Sequence, residues 1–361
     1  MASRKQQRID PNKVAKVRVP ARLEDNVRIP AEARATGPAP KAGGRSRRPG
    51  GRPPTAAKVR KATGRDWIAG ARLRTLPLSV SPVILGTAVA HEEKASWEWL
   101  NIALALAVAV FLQIGVNYAN DYSDGVRGTD KFRLGPSRLT GSGAARPRTV
   151  LTVALVFFGL AAVAGVVLVV LVGQYWLLAV GAVSIVAAYF YTGGKRPYGY
   201  YGLGELFVFV FFGLVATMGT TYVQEPKAFF VGGDWLDALL LGAAIGFIAC
   251  AVLMVNNIRD LPQDKLAHKR TFAVLIGNTA SRIVFAVFIL LAFIAPIPFG
   301  ITFYPDVYYT YFVLFLAVPA VLITLTAKTP RELVTALQLT SFTALFFAIG
   351  MGWGIYSLAG F

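Results

Sequence analysis

From Val150 to Gly194 the chain carries no charged residue, and shorter runs of the same kind recur along most of its length. Charge-free apolar runs of this size restrict the fold more than any other feature. Crossing about 30 Å of hydrocarbon at about 1.5 Å per residue takes roughly 20 such residues in a helix. The runs are Thr75 to Ala90, Leu100 to Asn120, Val150 to Gly194 (two spans divided near Gly173), Leu206 to Gln224, Ala238 to Ile258, Ile283 to Tyr304, Val307 to Ala327 and Leu333 to Phe361. They predict an all-α, polytopic membrane protein of nine transmembrane helices. The first run has Arg72 and Arg74 at its entrance and contains Pro77 and Pro82, so its start should be kinked or stepped.

A net charge of +18 first suggests a nucleic-acid partner. Divided along the chain, it does not. Residues 1 to 65 hold 18 Lys/Arg against 4 Asp/Glu, so 18 − 4 = +14 of the total lies in this segment. Rich in Pro, Gly, Ala and Arg and without apolar periodicity, the segment 1–64 reads as a disordered basic tail, with the membrane domain occupying 65–361. No apolar stretch follows its basic start, so it is not expected to be a secretory signal peptide. The tail suits the cytoplasm, where it can touch anionic lipid; neither nucleic acid nor an obligatory protein partner is called for. The single cysteine, Cys250, can form no intrachain disulfide and reads as packing.

The loops alternate in charge. Those carrying Arg127 to Arg148, Lys195 and Arg196, Arg259 to Arg282, and Lys328 and Arg331 are basic, whereas the intervening ones are acidic or lack Lys and Arg. The positive-inside rule then places the N-terminus and every basic loop in the cytoplasm, with the C-terminus outside, for a multi-pass protein of the cell membrane. A central cavity would open to the cytoplasmic side, where the chemistry-bearing residues gather.

Two acidic clusters close apolar runs on that side. In NYANDYSDGVRGTD, Asn117, Asp121 and Asp124 stand at i, i+4 and i+7; in NNIRDLPQDK, Asn256, Asp260 and Asp264 stand at i, i+4 and i+8. On a helix each set lies along one face. Helix capping accounts for one or two such residues. It does not account for acids repeated at helical spacing in two places, because carboxylates at a helix C-terminus oppose the macrodipole. A countercharge is required, and oxygen-only ligands favour a hard divalent ion such as Mg2+. Acids at this depth also occur in ion-coupled transporters, so the neighbours have to decide.

Those neighbours are basic and rich in glycine. Lys131 and Arg138 lie in the loop from Gly125 to Gly143, and Lys269 and Arg270 follow the second cluster. A metal with Lys and Arg around one cavity is the arrangement that stabilises a departing diphosphate. The segment Ala188 to Glu205 concentrates five tyrosines, Tyr191 among them, around Lys195 and Arg196. Such tyrosines form an ordinary aromatic belt at many interfaces; beside two cations and five glycines they would also hold an aromatic acid. Arg72 and Arg74 add a possible carboxylate or phosphate clamp.

Four stretches carry a resemblance: RLRTLPLSVSPVILG from Arg72, NYANDYSDGVRGTD from Asn117, YTGGKRPYGYYGLGE from Tyr191 and NNIRDLPQDKLAHKRTFAVLIG from Asn256. From about Gly64 onward the chain resembles the UbiA superfamily of intramembrane aromatic prenyltransferases. The Tyr-Thr-Gly-Gly segment is similar to its MenA branch, which acts on 1,4-dihydroxy-2-naphthoate. The resemblance implies a polyprenyl diphosphate bound with its tail among the helices and its diphosphate on two Mg2+. Ionisation would give an allylic cation that the naphthoate ring attacks with loss of carbon dioxide, yielding demethylmenaquinol. Asp121, Asp124, Asp260 and Asp264 would serve catalysis, with Tyr191 and Lys195 orienting or helping to ionise the ring hydroxyl. Members acting on another acceptor, such as 4-hydroxybenzoate, share the metal motifs. One departure stands out: the superfamily's third acid is replaced by Gly128, with Asp130 two residues later.

Overall fold

A computed structural model of the chain describes residues 61–93, 98–129, 138–302 and 304–359. The basic segment 1–60, Lys131 and Asp130 lie outside these. Among the described residues every regular element is helical. In chain order the principal helices are α1 (Gly64–Gly70), α2 (Pro77–Glu93), α3 (Trp99–Arg127), α4 (Pro147–Val172), α5 (Leu177–Phe190), α6 (Gly204–Gln224), α7 (Asp234–Leu266), α8 (Asn278–Thr302), α9 (Pro305–Thr326) and α10 (Pro330–Ala359).

The entrance to the first span is broken, as its arginines and prolines predict. Thr63 and Asp66 form a capping box on α1, and the chain then passes through Arg72 at φ 54° before turning 46° into α2. A left-handed backbone at a non-glycine residue is uncommon and is kept only where its surroundings impose it. The long run from Val150 divides at Gly173, whose φ of 74° ends α4 in the conformation that favours glycine.

Seven helices, α3, α4 and α6 to α10, are long and apolar enough to cross a membrane, and α1 with α2 forms an eighth if the bent pair is one span. The remaining run is occupied by α5, whose 14 residues reach about 21 Å at 1.5 Å per residue. All nine expected runs are therefore helical. Seven or eight of them have full crossing length among the described residues.

Helix α7 is the axis of the bundle. It packs against α8, α6, α10 and α2, and Leu241, Ile245, Ile248, Met254 and Val255 are completely buried. Close approach to α6 is made by glycines: a Cβ on Gly213 would lie 2.5 Å from the Gly242 carbonyl oxygen and 2.7 Å from the Gly246 Cα. Small residues of this kind let membrane helices touch through their backbones. At the same place α6 widens into a π-helical turn over Phe209–Val215. The outer helices instead expose large apolar side chains, including Leu155, Val163 and Val170 on α4 and Phe315 and Leu322 on α9. A surface of that composition fits lipid and not water.

Candidate active site

Both acidic motifs lie within helices. Helix α3 continues through Asp124 to Arg127 and stops only at Gly128, with φ 74°, while α7 continues through Asp264 despite Pro262. Their carboxylates are buried and positioned by specific partners. Asn117 donates Nδ2 to the Ala71 carbonyl at 2.9 Å, tying α3 to the bend between α1 and α2. Asp121 accepts backbone N–H bonds from Leu139 at 2.9 Å and Thr140 at 2.8 Å, one on each oxygen. These bonds set the loop that delivers Arg138, whose guanidinium pairs with Asp124. Gly125 is needed for the same contact, since a Cβ there would lie 2.5 Å from the Thr140 Cβ.

The second motif is arranged around Arg259. Its Nε and Nη2 each donate at 2.7 Å to Asp260, and Nη2 also donates to Asn256 Oδ1 at 2.7 Å. Asp264 faces Lys269, with Nζ 3.8 Å away. Lys269 joins the two halves of the site: burial works against its charge, but Asp124 and Asp264 outweigh that and raise its pKa above the ordinary lysine value. Its ammonium also lies 5.0 Å from the centre of the Tyr200 ring, a cation–π distance.

Tyr200 belongs to the turn between α5 and α6. Its hydroxyl donates to Asp124 at 2.6 Å; burial first, then the Asp124 charge, push its pKa up to about 12. The turn is held on α3 by Arg127, which donates to the carbonyls of Thr192 and Gly194, and by Thr192, whose hydroxyl donates to Asn120 Oδ1 at 2.6 Å. Burial likewise raises the Tyr191 and Tyr198 hydroxyls above their ordinary range, so both stay protonated donors at neutral pH.

These groups border a cavity of about 560 Å3, within the 300–1,000 Å3 usual for ligand sites. Its polar end is lined by Arg72, Asn117, Asp124, Arg138, Asn256 and Lys269, followed by Tyr191, Tyr198, Phe207 and Phe211. Beyond these the wall is apolar, with Val83, Ala105, Leu112, Val166, Leu178 and Val215. On α3 alone the lining runs from Asp124 back to Ala105, a rise of about 29 Å at 1.5 Å per residue.

The expected site residues therefore separate into groups. Arg72, Asn117, Asp124, Arg138, Tyr191, Asn256 and Lys269 line the cavity. Asp121, Asp260 and Asp264 are buried but do not form its wall. Arg74, Lys195, Arg196 and Arg270 are exposed and stand off the cavity wall, and Lys131 lies outside the described residues. The sequence pattern does not single out Asn120, Arg127 or Thr192, and it marks Tyr200 only as one of the five clustered tyrosines, because their partners are up to 76 positions away.

Among the described residues no three His, Cys, Asp or Glu side chains come together as a ready-made metal cage. The donors facing the cavity, Asn117, Asp124 and Asn256, offer oxygen ligands without imidazole or thiolate. This fits Mg2+, which is commonly held by one or two carboxylates plus substrate phosphates and keeps several waters.

Residues 79–349 match the model of the UbiA prenyltransferase family. The chain is 51% identical over 220 residues to a 1,4-dihydroxy-2-naphthoate octaprenyltransferase of Mycobacterium tuberculosis, an alignment spanning 61% of this chain and 73% of that one. With the enzyme of the same description from Bacillus subtilis it shares 29% identity over 297 residues, 79% of this chain and 90% of the other. Among solved structures, a UbiA homolog from Aeropyrum pernix K1 superimposes with a TM-score of 0.59 at 14% identity, covering 76% of this chain and 96% of that one.

Proposed function

The chain belongs to the UbiA prenyltransferase family, and from that premise we propose that it transfers a polyprenyl group from a polyprenyl diphosphate to 1,4-dihydroxy-2-naphthoate with loss of carbon dioxide. The product is demethylmenaquinol, and the reaction is a step of menaquinone biosynthesis. One observation carries the reading: a single cavity has cations and oxygen ligands at one end, aromatic rings next to them and a long apolar wall beyond.

Each part has a task in the reaction. Arg72, Arg138 and Lys269 bind the diphosphate and offset the charge that develops as the allylic C–O bond breaks. The apolar wall accepts the prenyl chain and keeps water from the cation. Tyr198 and Phe207, stacked with centroids 3.9 Å apart, present aromatic faces that favour positive charge nearby. The new carbon–carbon bond forms between the prenyl terminus and the ring, and the ring's carboxylate departs as carbon dioxide. Two Mg2+, held at the cavity wall by Asn117, Asp124 and Asn256 with Asp121, Asp260 and Asp264 of the two motifs behind them, would supply further neutralisation of the leaving group.

The protein is a multi-pass membrane protein. We assign nine spans, counting the short α5 and the bent α1–α2 pair, with the N-terminus and the polar end of the cavity cytoplasmic and the C-terminus outside the plasma membrane. The alternating loop charge supports this orientation. Arg74, Lys195, Arg196 and Arg270 then form an exposed cationic rim that draws anionic substrates towards the site.

The test is an acceptor panel. Purified protein in lipid is given one polyprenyl diphosphate, Mg2+ and, separately, 1,4-dihydroxy-2-naphthoate, 4-hydroxybenzoate or no acceptor, with a chelator control. Prenylated product and released diphosphate are expected with the naphthoate and are lost on chelation. Product from 4-hydroxybenzoate alone would overturn the acceptor, and no diphosphate release with any acceptor would overturn prenyl transfer.

A further inference from the structure

We propose that Asn257, oriented by Glu205, is the group that recognises a ring hydroxyl of the aromatic acceptor; this rests on the acceptor reading above. Glu205 opens α6 and is 6% exposed. Its Oε1 accepts a 3.0 Å hydrogen bond from Asn257 Nδ2, and its Oε2 is buried with no hydrogen-bond partner. Nearby, the Cys250 thiol donates to the Glu205 backbone carbonyl at 3.1 Å, fixing the start of α6 against α7.

Because Oε1 of Glu205 accepts from Nδ2, the contact selects one orientation of the Asn257 amide. Nδ2 turns towards Glu205, which leaves Oδ1 as the acceptor of the side chain. Asn257 is itself 6% exposed and lines the cavity, and among the described residues its Oδ1 makes no hydrogen bond. Once a ligand displaces water from the cavity, an acceptor on its wall calls for a donor on that ligand, since leaving it unmatched is costly. Of the proposed substrates, the diphosphate presents acceptor oxygens and the prenyl chain presents nothing polar. Only the hydroxyls of the aromatic ring can donate.

The location agrees. Asn257 directly follows Asn256 of the second motif, and the Tyr191 hydroxyl stands at the same corner, 3.4 Å from where a Cβ on Gly204 would lie. A ring placed there is within the aromatic part of the cavity, beside the polar end where the C–O bond breaks. Asn257 is accordingly a binding residue, and Glu205, which acts through it, is a positioning residue.

The experiment uses the two mono-O-methyl ethers of 1,4-dihydroxy-2-naphthoate as competitive inhibitors of the full-length protein. In the wild type, the ether that lacks the recognised hydroxyl should inhibit at least tenfold more weakly than the other, because a site built to bind a hydroxyl rejects the analogue without it. Asn257→Ala should raise the acceptor KM at least tenfold and abolish the difference between the ethers, leaving the prenyl diphosphate KM and the Mg2+ requirement within about twofold. Glu205→Gln, which can pair with either side of the amide, should shift the acceptor KM in the same direction by less. Equal inhibition by both ethers in the wild type overturns the inference even if the variants do not fold. So does an Asn257→Ala protein that still distinguishes the ethers, or one whose altered property is the Mg2+ requirement. A wild type that cannot use the naphthoate at all overturns the acceptor reading itself, and this inference with it.

Discussion

The Tyr200 hydroxyl donates to Asp124 at 2.6 Å, linking the turn before α6 to the last turns of α3. The same ring has Lys269 5.0 Å and Arg127 5.3 Å from its centre, so one tyrosine connects an acid, two cations and three segments of chain. Tyr200→Phe keeps the ring and its cation contacts while removing the bond to Asp124 and a longer one, 3.3 Å, to the Thr129 hydroxyl. Hydrogen bonds to charged groups contribute about 1.5–3 kcal/mol, so kcat/KM for the prenyl diphosphate should fall roughly tenfold to a hundredfold. Steady-state kinetics with the naphthoate saturating checks this; an unchanged value would show that Asp124 does not depend on Tyr200.

Asp121 sits behind the cavity wall and accepts the amides of Leu139 and Thr140. Asp121→Asn preserves size but turns an NH2 group against one of those amides. The loop carrying Arg138 should then loosen, giving faster tryptic cleavage after Arg138 together with a large loss of diphosphate release. Wild-type cleavage kinetics in an inactive variant would instead assign Asp121 a role in binding alone.

The crossing of α6 and α7 has no room for a side chain at Gly213. Gly213→Leu forces backbones apart along the most buried helix, and overpacking of this kind costs typically 1–3 kcal/mol or more. A lower melting temperature in detergent is expected, with reduced folded yield. Gly159→Leu is the matching control: it lies on α4, where a Cβ meets nothing within 4 Å, and should melt like the wild type.

Removal of residues 1–60 should leave turnover largely intact. The described residues that line the cavity supply its cations, oxygen donors, aromatic rings and apolar wall from Arg72 onward. Turnover of the truncated protein, compared with the full chain at equal amounts of folded, membrane-inserted material, checks it; complete loss would give the tail a direct part in catalysis.

Much of the site could be read from the order of residues. Charge-free runs gave the helices, Pro77 and Arg72 the broken entrance, Gly173 the division of the longest run, and the two i, i+4 acid patterns the halves of one centre. The continuation of α3 through Asp124 was less legible, because Asn and Asp favour turns and an Asp-Gly pair resembles one. Burial between Arg138 and Tyr200 overrides that local preference. The exposure of Lys195 and Arg196 was also hidden: Gly194, at φ 74°, sends the chain back outwards before the tyrosines return to the cavity. Contacts such as Arg127 with Thr192, 65 positions apart, leave no periodic trace at all.

The shortness of α5 reaches beyond the protein itself. At about 21 Å against a hydrocarbon layer of about 30 Å, α5 taken as a span would require the surrounding bilayer to thin or neighbouring helices to shelter its ends. Gly181, Ser184 and Ile185 of that helix line the cavity, so the deformation falls beside the reaction chamber. Lipid headgroups would then sit closer to the midplane at this sector of the perimeter. The acyl-chain length of the host membrane thereby becomes a variable in how an amphiphile with a charged head and a long tail reaches the centre.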